Sequence, residues 1–464
     1  RSYHSQSGTT PVVLLTVEFV PFINPGNKSN KIEDMTTKKF LSLRPKPTKQ
    51  RYQAVILKLA DSIVPVYTIN KIENNMLALK MAFVPDRLSY LSALTTLLST
   101  IANISIAKKF VEAFSNGVQV YTFYVRGTTA TQLERVATTI GMLPNTPNRP
   151  TTAMYNKKQI DHNEVIYCNA ITMFAYYFTP PHTTEDYTAL SQEIAHKSTN
   201  VARLKKIRND FFQEIMSEEY IYDCIKKRVG LVKALYKDFE DGSNEKSLSH
   251  LDNLIDQQLR GASPLELAIF KTFLVFNKSI LKCNFYKVNK AAVCFRIDPK
   301  VFFTQLDYPR VPFCVYMVLG NQFRGFHVRF TDIARGGVRM IMSQNDPAYL
   351  SYAQLLKNKD IPEGGSKGTI LIARRATVDK KTMFLQYVDA LLDMMIPTDG
   401  IRTAKSLEGI DEILFLGPDE NTAGAFPKIA AMHAKARGYP QWKSFTTGKS
   451  RDLGGIPHDM YGMT

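Results

Sequence analysis

The chain has 464 residues, 44% hydrophobic and 22% charged, a composition typical of globular domains with apolar cores. The net charge of +17 favours anionic partners, from nucleic acid to small carboxylates and phosphates. The sequence contains no apolar run of the ~18 residues that a membrane helix needs, and its five cysteines include no C-x-x-C pair, which argues against a disulfide framework or a zinc ribbon.

Residues 1–59 are interpreted as an N-terminal extension. The opening stretch, RSYHSQSG, is basic, rich in serine and without acidic residues, as transit peptides are. This composition indicates the mitochondrial matrix, with a truncated start of the sequence as an equal explanation and the cytoplasm as the alternative location.

Residues 60–150 are predicted to form a small α+β module of the ferredoxin or ACT type. Asn116-Gly117 is a strong hairpin signal because both residues tolerate positive φ. A later helix is expected to begin with Thr131 and Glu134 as a capping box. An earlier helix is indicated by one apolar face, formed by Leu88, Leu91, Leu94, Leu98 and Ile101. Modules of this type bind amino acids or mediate assembly.

Residues 151–284 are predicted to be mostly helical. The basic clusters RLKKIR (203–208) and IKKRVG (225–230) are interpreted as solvated helix faces rather than a nucleic-acid patch, because no aromatic interleaving accompanies them.

Residues 285–464 show an α/β pattern. Its strands are AAVCFRI, VPFCVYMVL, FRGFHVRF, GTILIAR and EILFLG, and its helices are DPAYLSYAQLLKN, VDKKTMFLQYVDALLDMM and AGAFPKIAAMHAKA.

Four segments of the α/β region place glycine beside charge at predicted strand ends or loops, where open α/β sheets bind ligands. They are HVRFTDIARGGVR, KNKDIPEGGSKG, LGPDENT and TTGKSRDLGG. A P-loop is excluded because GKS (448–450) has Lys443 where the first glycine is required, and no G-x-G-x-x-G fingerprint occurs. No spacing of histidine, cysteine or acidic residues suggests a metal.

A carboxylate site with a low-pKa lysine fits these segments better. Two cationic anchors would hold a dicarboxylate, drawn from Arg335, Arg339, Lys357 and Lys359. Clustered positive charge and burial depress the pKa of a lysine, which can then activate water or polarise an imine. Asp419, in a tight turn, would serve as proton donor, while glycines let the backbone approach the substrate. His327 is interpreted as structural.

The motifs ARGGVR, NKDIPEGGSKG, GPDENT and SFTTGKSRDLGGIPHDMYGMT resemble the large NAD-specific glutamate dehydrogenases of eukaryotic microbes, relatives of the Glu/Leu/Phe/Val dehydrogenase superfamily. The resemblance is dense over residues 321–464. It implies that Lys367 is the catalytic lysine and Asp419 the proton shuttle. It implies that Arg335 meets the side-chain carboxylate, where smaller relatives use lysine. The lysine that meets the α-carboxylate in the family corresponds to Lys357 or Lys359, of which Lys357 is favoured. The other substrate-binding candidates are Gly336, Gly337, Arg339, Gly364, Gly365, Thr447 and Lys449, with Gly454 as a weaker one.

The resemblance implies oxidative deamination of L-glutamate to 2-oxoglutarate and ammonium, in a homo-oligomer. NAD would be bound by a Rossmann domain, which begins in the family where this sequence reaches Gly-Met-Thr. The alternative is a binding or scaffold subunit of a larger assembly, derived from a dehydrogenase without its cofactor domain. If the roles carry over, the Asp419 carboxylate should lie within ion-pair distance of the Lys367 ammonium, offsetting the crowded positive charge.

Overall fold

We analysed a computed structural model, which describes residues 2–5, 12–15, 20–25, 29, 31–60, 62–72, 75–83, 98, 104–142, 150–181, 185–287, 289–303, 310–320, 322–342, 364–373, 376 and 379–456. The chain divides into two compact units. The first consists of Arg1–Asn145, Val288–Ala291 and Thr377–Gln386, and the second of Thr146–Lys287, Ala292–Ala376 and Tyr387–Thr464.

The first unit is an antiparallel sheet with helices. Its strands lie in the order β2-β1-β5-β6-β4-β3. The strands are β1 (Ser2–Ser5), β2 (Val12–Leu15), β3 (Val66–Ile72), β4 (Met76–Phe83), β5 (Ser105–Ala113) and β6 (Gln119–Arg126). The helices are α1 (Ile32–Met35), α2 (Lys38–Leu43), α3 (Lys46–Ala60) and α4 (Ala130–Met142). One core cluster joins α1, α2 and α3 to the strands, through residues such as Met35, Phe40, Val55 and Val120.

Sequence-based expectations for this unit met different outcomes. The hairpin at Asn116-Gly117 is confirmed: it joins β5 to β6, and Gly117 has a φ of +86°. The predicted capping box of α4 is wrong by two residues, because Thr129 and Gln132 form the reciprocal bonds instead. The strands β1 and β2 were not predicted within the extension. The earlier predicted helix lies outside the described residues, apart from Leu98.

The second unit begins with helices, as predicted. They are α5 (Pro150–Asn156), α6 (His162–Phe178), α7 (Glu185–Glu193), α8 (Ser198–Ile215), α9 (Glu218–Lys227), α10 (Val229–Asp241), α11 (Glu245–Gln258) and α12 (Pro264–Ser279). Polar caps explain several starts: Asp161 and Glu164 form a capping box on α6, and Ser263 accepts from Glu266 at α12. Gly242, in the left-handed region, ends α10.

A mixed sheet follows, with the described strands in the order β13-β7-β8-β9-β10-β12-β11-β14. They are β7 (Ile280–Cys283), β8 (Val293–Ile297), β9 (Cys314–Gly320), β10 (Phe323–Arg329), β11 (Arg335–Ile341), β12 (Ser366–Ile372), β13 (Arg402–Thr403) and β14 (Phe415–Pro418). Two further helices are α13 (Lys380–Met395), which begins within the first unit, and α14 (Phe426–Ala436). The predicted helix DPAYLSYAQLLKN lies outside the described residues.

Both faces of this sheet are covered near its centre. The Tyr387 hydroxyl of α13 donates to the Phe326 carbonyl at 2.9 Å, and its ring lies where a Cβ on Gly325 would fall. On the other face, the Phe326 ring contacts Tyr177 and Phe178 of α6. Side chains alternate along a strand, so the second face is also that of Lys367, whose register partner is Val328.

Candidate active site

Three strand segments from distant parts of the sequence meet in parallel at one edge of the sheet. β11 lies between β12 and β14, with Val338 opposite Gly368 and Gly337 opposite Gly417. Burial alternates along β11: Arg335, Gly337 and Arg339 are half-buried, whereas the residues between them are buried. The two arginines therefore share the more open face of the strand. The sequence had indicated a strand end or loop at this glycine pair, and the structure makes it part of β11.

The central contact of the site is an ion pair between Lys367 and Asp419. The Lys367 Nζ donates to Asp419 Oδ2, with the two side chains 9% and 21% exposed. The predicted proximity of these groups is confirmed. The other carboxylate oxygen, Oδ1, lies 3.5 Å from Arg339 Nη2, and Arg339 Nε lies 3.5 Å from Glu420 Oε2. Arg339 thus contacts the acidic turn, which orients Asp419.

The turn after β14 fixes the Asp419 backbone. Its N–H donates to Thr422 Oγ1 at 2.9 Å, and the Thr422 N–H donates to the Asp419 carbonyl at 3.0 Å. The same Thr422 hydroxyl donates to the Val338 carbonyl, and Asn421 Nδ2 donates to the Met340 carbonyl at 2.8 Å. Polar side chains of the GPDENT motif therefore attach the turn to β11 and set the height of the carboxylate above the strand.

Glycines in these motifs serve close contacts within the protein. A Cβ on Gly336 would lie 1.8 Å from the Ser366 carbonyl oxygen, so only glycine allows the two strands this approach. Gly364 and Gly365 have φ of +68° and +69°, in the left-handed region that glycine favours. A Cβ on Gly364 would lie 2.1 Å from Thr331 Oγ1. Contacts within the protein already require glycine at these positions. The expected approach of the backbone to the substrate stays a prediction.

A buried charge cluster, which the sequence did not indicate, lies behind the site. The fully buried Arg329 donates from Nη1 to the carbonyls of Asp332 and Ile413, and from Nη2 to Glu412 Oε1 at 3.0 Å. Arg296 pairs with the same carboxylate at 3.1 Å. Burial alone would raise the pKa of Glu412, but the two arginines hold it below its ordinary value. Arg329 thereby ties together the two loops that lead into β11 and β14.

His327 lies directly beside the strand of the catalytic candidate. The side chain is fully buried, with Nε2 at 3.3 Å from Ser366 Oγ, and Nδ1 has no hydrogen-bond partner among the described residues. Burial, followed by the charge of Arg329, lowers its pKa to about 3, so the imidazole is neutral. The interpretation as a structural residue agrees with this environment.

The TGK segment packs beside β14. The Thr447 N–H donates to the Leu416 carbonyl at 2.9 Å, and Thr447 Oγ1 lies 3.2 Å from where a Cβ on Gly417 would be. Lys449 is buried and donates to the Thr446 carbonyl at 2.8 Å, and burial lowers its pKa. Their contact with substrate stays a prediction.

Of the remaining candidates, the structure describes Gly454 but not the two lysines of the KNK segment. Lys357 and Lys359 lie outside the described residues, so their roles as carboxylate anchors stay predictions. Gly454 ends a short 3₁₀ turn with a φ of +74°.

Within the described ranges, no group of three histidine, cysteine or acidic side chains could hold a metal ion, and no helix is long and apolar enough to cross a membrane. All five cysteines are buried free thiols.

Together, a lysine–aspartate pair and two arginines at the edge of an α/β sheet define the class of an anion-binding, acid–base site. Comparison with known proteins agrees with this class. Residues 5–143 match the family model "NAD-specific glutamate dehydrogenase, second domain". Residues 255–463 match "Bacterial NAD-glutamate dehydrogenase, catalytic domain". The chain therefore contains two regions that match domain models of NAD-specific glutamate dehydrogenases.

Curated relatives match along most of the chain. Glutamate dehydrogenase 2 of Dictyostelium discoideum is 36% identical, covering 90% of this chain and 42% of the relative. The NAD-specific glutamate dehydrogenases of Neurospora crassa and Saccharomyces cerevisiae are each 33% identical, covering 95% and 94% of this chain and 46% and 44% of the relatives. The chain therefore spans less than half the length of these proteins.

Similar solved structures include the hetero-hexameric glutamate dehydrogenase from Thermus thermophilus in its Leu-bound form. It is 23% identical and covers 30% of this chain and 32% of that chain. The TM-score of 0.23 is too low to support an argument about the fold.

Proposed function

We propose that this chain carries the substrate-binding and proton-transfer part of an enzyme that deaminates L-glutamate oxidatively to 2-oxoglutarate and ammonium, with NAD as the hydride acceptor. The observation that carries the proposal is the ion pair between Lys367 and Asp419 at the parallel edge of the sheet. A shielded lysine in contact with a carboxylate can exchange a proton without passing it to bulk water.

The proposal assigns a role to each candidate residue. Lys367, after giving its proton to Asp419, would deprotonate the water that attacks the imino acid, and Asp419 would pass protons to the departing amine. Arg339, which contacts Asp419 at 3.5 Å, would hold the carboxylate in place. Arg335, on the same face of β11, would bind the side-chain carboxylate of glutamate. Lys357 or Lys359 would bind the α-carboxylate.

NAD, when bound, would accept the hydride from Cα of glutamate. The described residues show no nucleotide fingerprint or phosphate cradle, so we assign no residue of this chain to the nucleotide and derive no step through it. We place the reaction in the mitochondrial matrix or the cytoplasm, which fractionation of the source cells would test.

We further propose that the first unit contains an ACT-like module. In this interpretation β4, β5 and β6, followed by α4, supply three strands and a helix of a ferredoxin-like arrangement. β3 precedes β4 in the chain but lies on the edge where the last strand of such a sheet belongs. Calorimetric titration with amino acids would test whether the module binds a ligand or only supports assembly.

Substitution of the ion pair tests the proposed function. In the complete enzyme, Lys367→Ala should lower kcat by ~10²–10⁴-fold while NAD binding persists, because the lysine acts on the carbon centre. Asp419→Asn keeps the shape and should slow the chemical step more than it weakens glutamate binding. Lys278→Ala, on an exposed position of α12, is the control. Retention of most of kcat in the Lys367 variant would refute the assignment.

The scaffold alternative has its own outcome. If the 464-residue chain binds neither glutamate nor 2-oxoglutarate and co-purifies with a larger assembly, that alternative is favoured. Binding of both compounds, weakened by Arg335→Ala, would support the enzyme.

A further inference from the structure

The helix α8 presents an apolar stripe to solvent. Ile207, Phe211 and Ile215 are 59%, 64% and 45% exposed. Their spacing of four residues places them along one side of the helix. Large apolar side chains that are exposed in a continuous row mark interaction sites more often than isolated ones do.

The opposite side of α8 is already occupied. Val201, Lys205 and Arg208 line a cleft of about 620 Å³ with residues of α7, and the Arg208 guanidinium lies 4.9 Å from the centre of the Tyr187 ring. At about 100° per residue, these positions point away from Ile207. Ile207 is therefore turned away from the contact between α7 and α8, whereas Ile215 lies on the side of the helix that Arg208 occupies.

Charged residues lie on both sides of Ile207 and Phe211 along the helix. Arg203 and Glu214 are exposed, and they lie about three helical turns apart on nearly the same line as Ile207 and Phe211. The row thus begins with a cation, continues with two large apolar side chains, and ends with an anion. A reversed copy of the row complements it, because each cation would face an anion.

We propose that α8 pairs antiparallel with α8 of a second copy of this chain. A two-fold axis near positions 208–209 brings Arg203 opposite Glu214 and Ile207 opposite Phe211. Both members of each pair then come from the same surface, as a two-fold symmetric interface requires. The pairing buries Ile207 and Phe211 of both copies and forms the ion pair between Arg203 and Glu214 twice.

The charges on the line of Ile207 and Phe211 favour a helix over a lipid surface as the occupant. An anionic membrane would attract Arg203 but repel Glu214 on the same line. The apolar stripe is also narrow, as in the seam of two packed helices, whereas helices that lie on membranes have a wide apolar face.

Sedimentation velocity of the 464-residue chain tests the pairing. The chain should dimerise. Phe211→Ser, which removes apolar contact, should raise the dissociation constant of the dimer about tenfold or more. Arg203→Glu should raise it as much, because the ion pair with Glu214 occurs twice and each becomes a repulsion. The charge-swapped chain with both Arg203→Glu and Glu214→Arg should regain dimerisation. Leu57→Ser, at a 48% exposed apolar residue of α3, should change nothing.

Three results would overturn the proposal. The chain could stay monomeric, its oligomeric state could be indifferent to Arg203→Glu and Phe211→Ser, or it could bind phosphatidylserine vesicles through Phe211 without dimerising. The charge swap also separates misfolding from lost pairing, because a chain that recovers its dimer is folded.

Discussion

Acidification should weaken the second unit because His327 is buried in the neutral form. Burial and the neighbouring Arg329 charge lower its pKa to about 3, from 6.5 for the ordinary side chain. Between about pH 3 and pH 6.5, the His327 side chain is protonated in the unfolded chain and neutral in the folded chain. The free energy of unfolding therefore rises with pH in this window, and this contribution is lost as the pH falls from 6.5 towards 3.

The size of the effect follows from the two pKa values. A difference between 6.5 and about 3 corresponds to at most ~5 kcal/mol, because one pKa unit equals about 1.4 kcal/mol. Within the practical range from pH 7 to pH 5, protonation of the unfolded side chain costs ~2 kcal/mol of stability. The variant His327→Gln keeps a polar group near Ser366 but cannot take up this proton.

Urea unfolding at pH 7, 6 and 5 would measure the difference. Trp442, the only tryptophan of the chain, lies in the second unit and reports its unfolding by fluorescence. The wild type should lose ~2 kcal/mol more than His327→Gln between pH 7 and pH 5. His250→Gln, at an exposed position of α11, should behave as wild type. Equal pH slopes for wild type and His327→Gln would refute the reasoning.

Three other substitutions probe the site and the first unit. Gly337→Ala would place a methyl group 2.7 Å from Asp419 Oδ2 and should lower kcat/KM ~10²-fold. The control Gly230→Ala, whose methyl group would have no atom within 4 Å, should leave kcat/KM unchanged. Arg335→Lys should raise KM for glutamate less than Arg335→Ala does, since an ammonium binds a carboxylate without the bidentate grip; an unchanged KM would remove Arg335 from the site. Burial lowers the pKa of Lys80 to about 8 from 10.5, so the first unit should gain up to ~3 kcal/mol as the pH rises between these values. Lys80→Met should abolish that gain in urea unfolding, and a persistent gain would contradict it.

Local signals explain which parts were predictable from the sequence. The hairpin depends on Asn116 and Gly117 alone, and the helices of the middle region carry their own caps, so neither needs distant information. The contact between Lys367 and Asp419 joins residues 52 positions apart. It was predictable through the family resemblance, which places the GPD turn across the cleft from the lysine loop, where clustered cations need a counter-charge.

Non-local pairing explains what was missed. β11 carries two arginines and two glycines, which hide the apolar pattern of a strand, and its partners β12 and β14 lie far along the chain. Only the parallel register reveals why Gly336 must lack a side chain. Arg329 is equally invisible from the sequence, because nothing local indicates that an arginine within a strand is fully buried beside Glu412.

Charge is arranged differently on the two faces of the sheet at this edge. On the face of Arg329, two buried arginines share Glu412, and their donors are directed to that carboxylate and to the backbone. On the opposite face, Lys367 and Arg339 share Asp419, with Arg335 half-buried on the same strand. The first arrangement fixes loops, since its charges cannot reach solvent. The second lies on the more open face of β11, where Asp419 and Glu420 pair with Lys367 and Arg339. Under the proposed function, an incoming dicarboxylate would bind on this second face, beside the pair of Lys367 and Asp419 that transfers the protons.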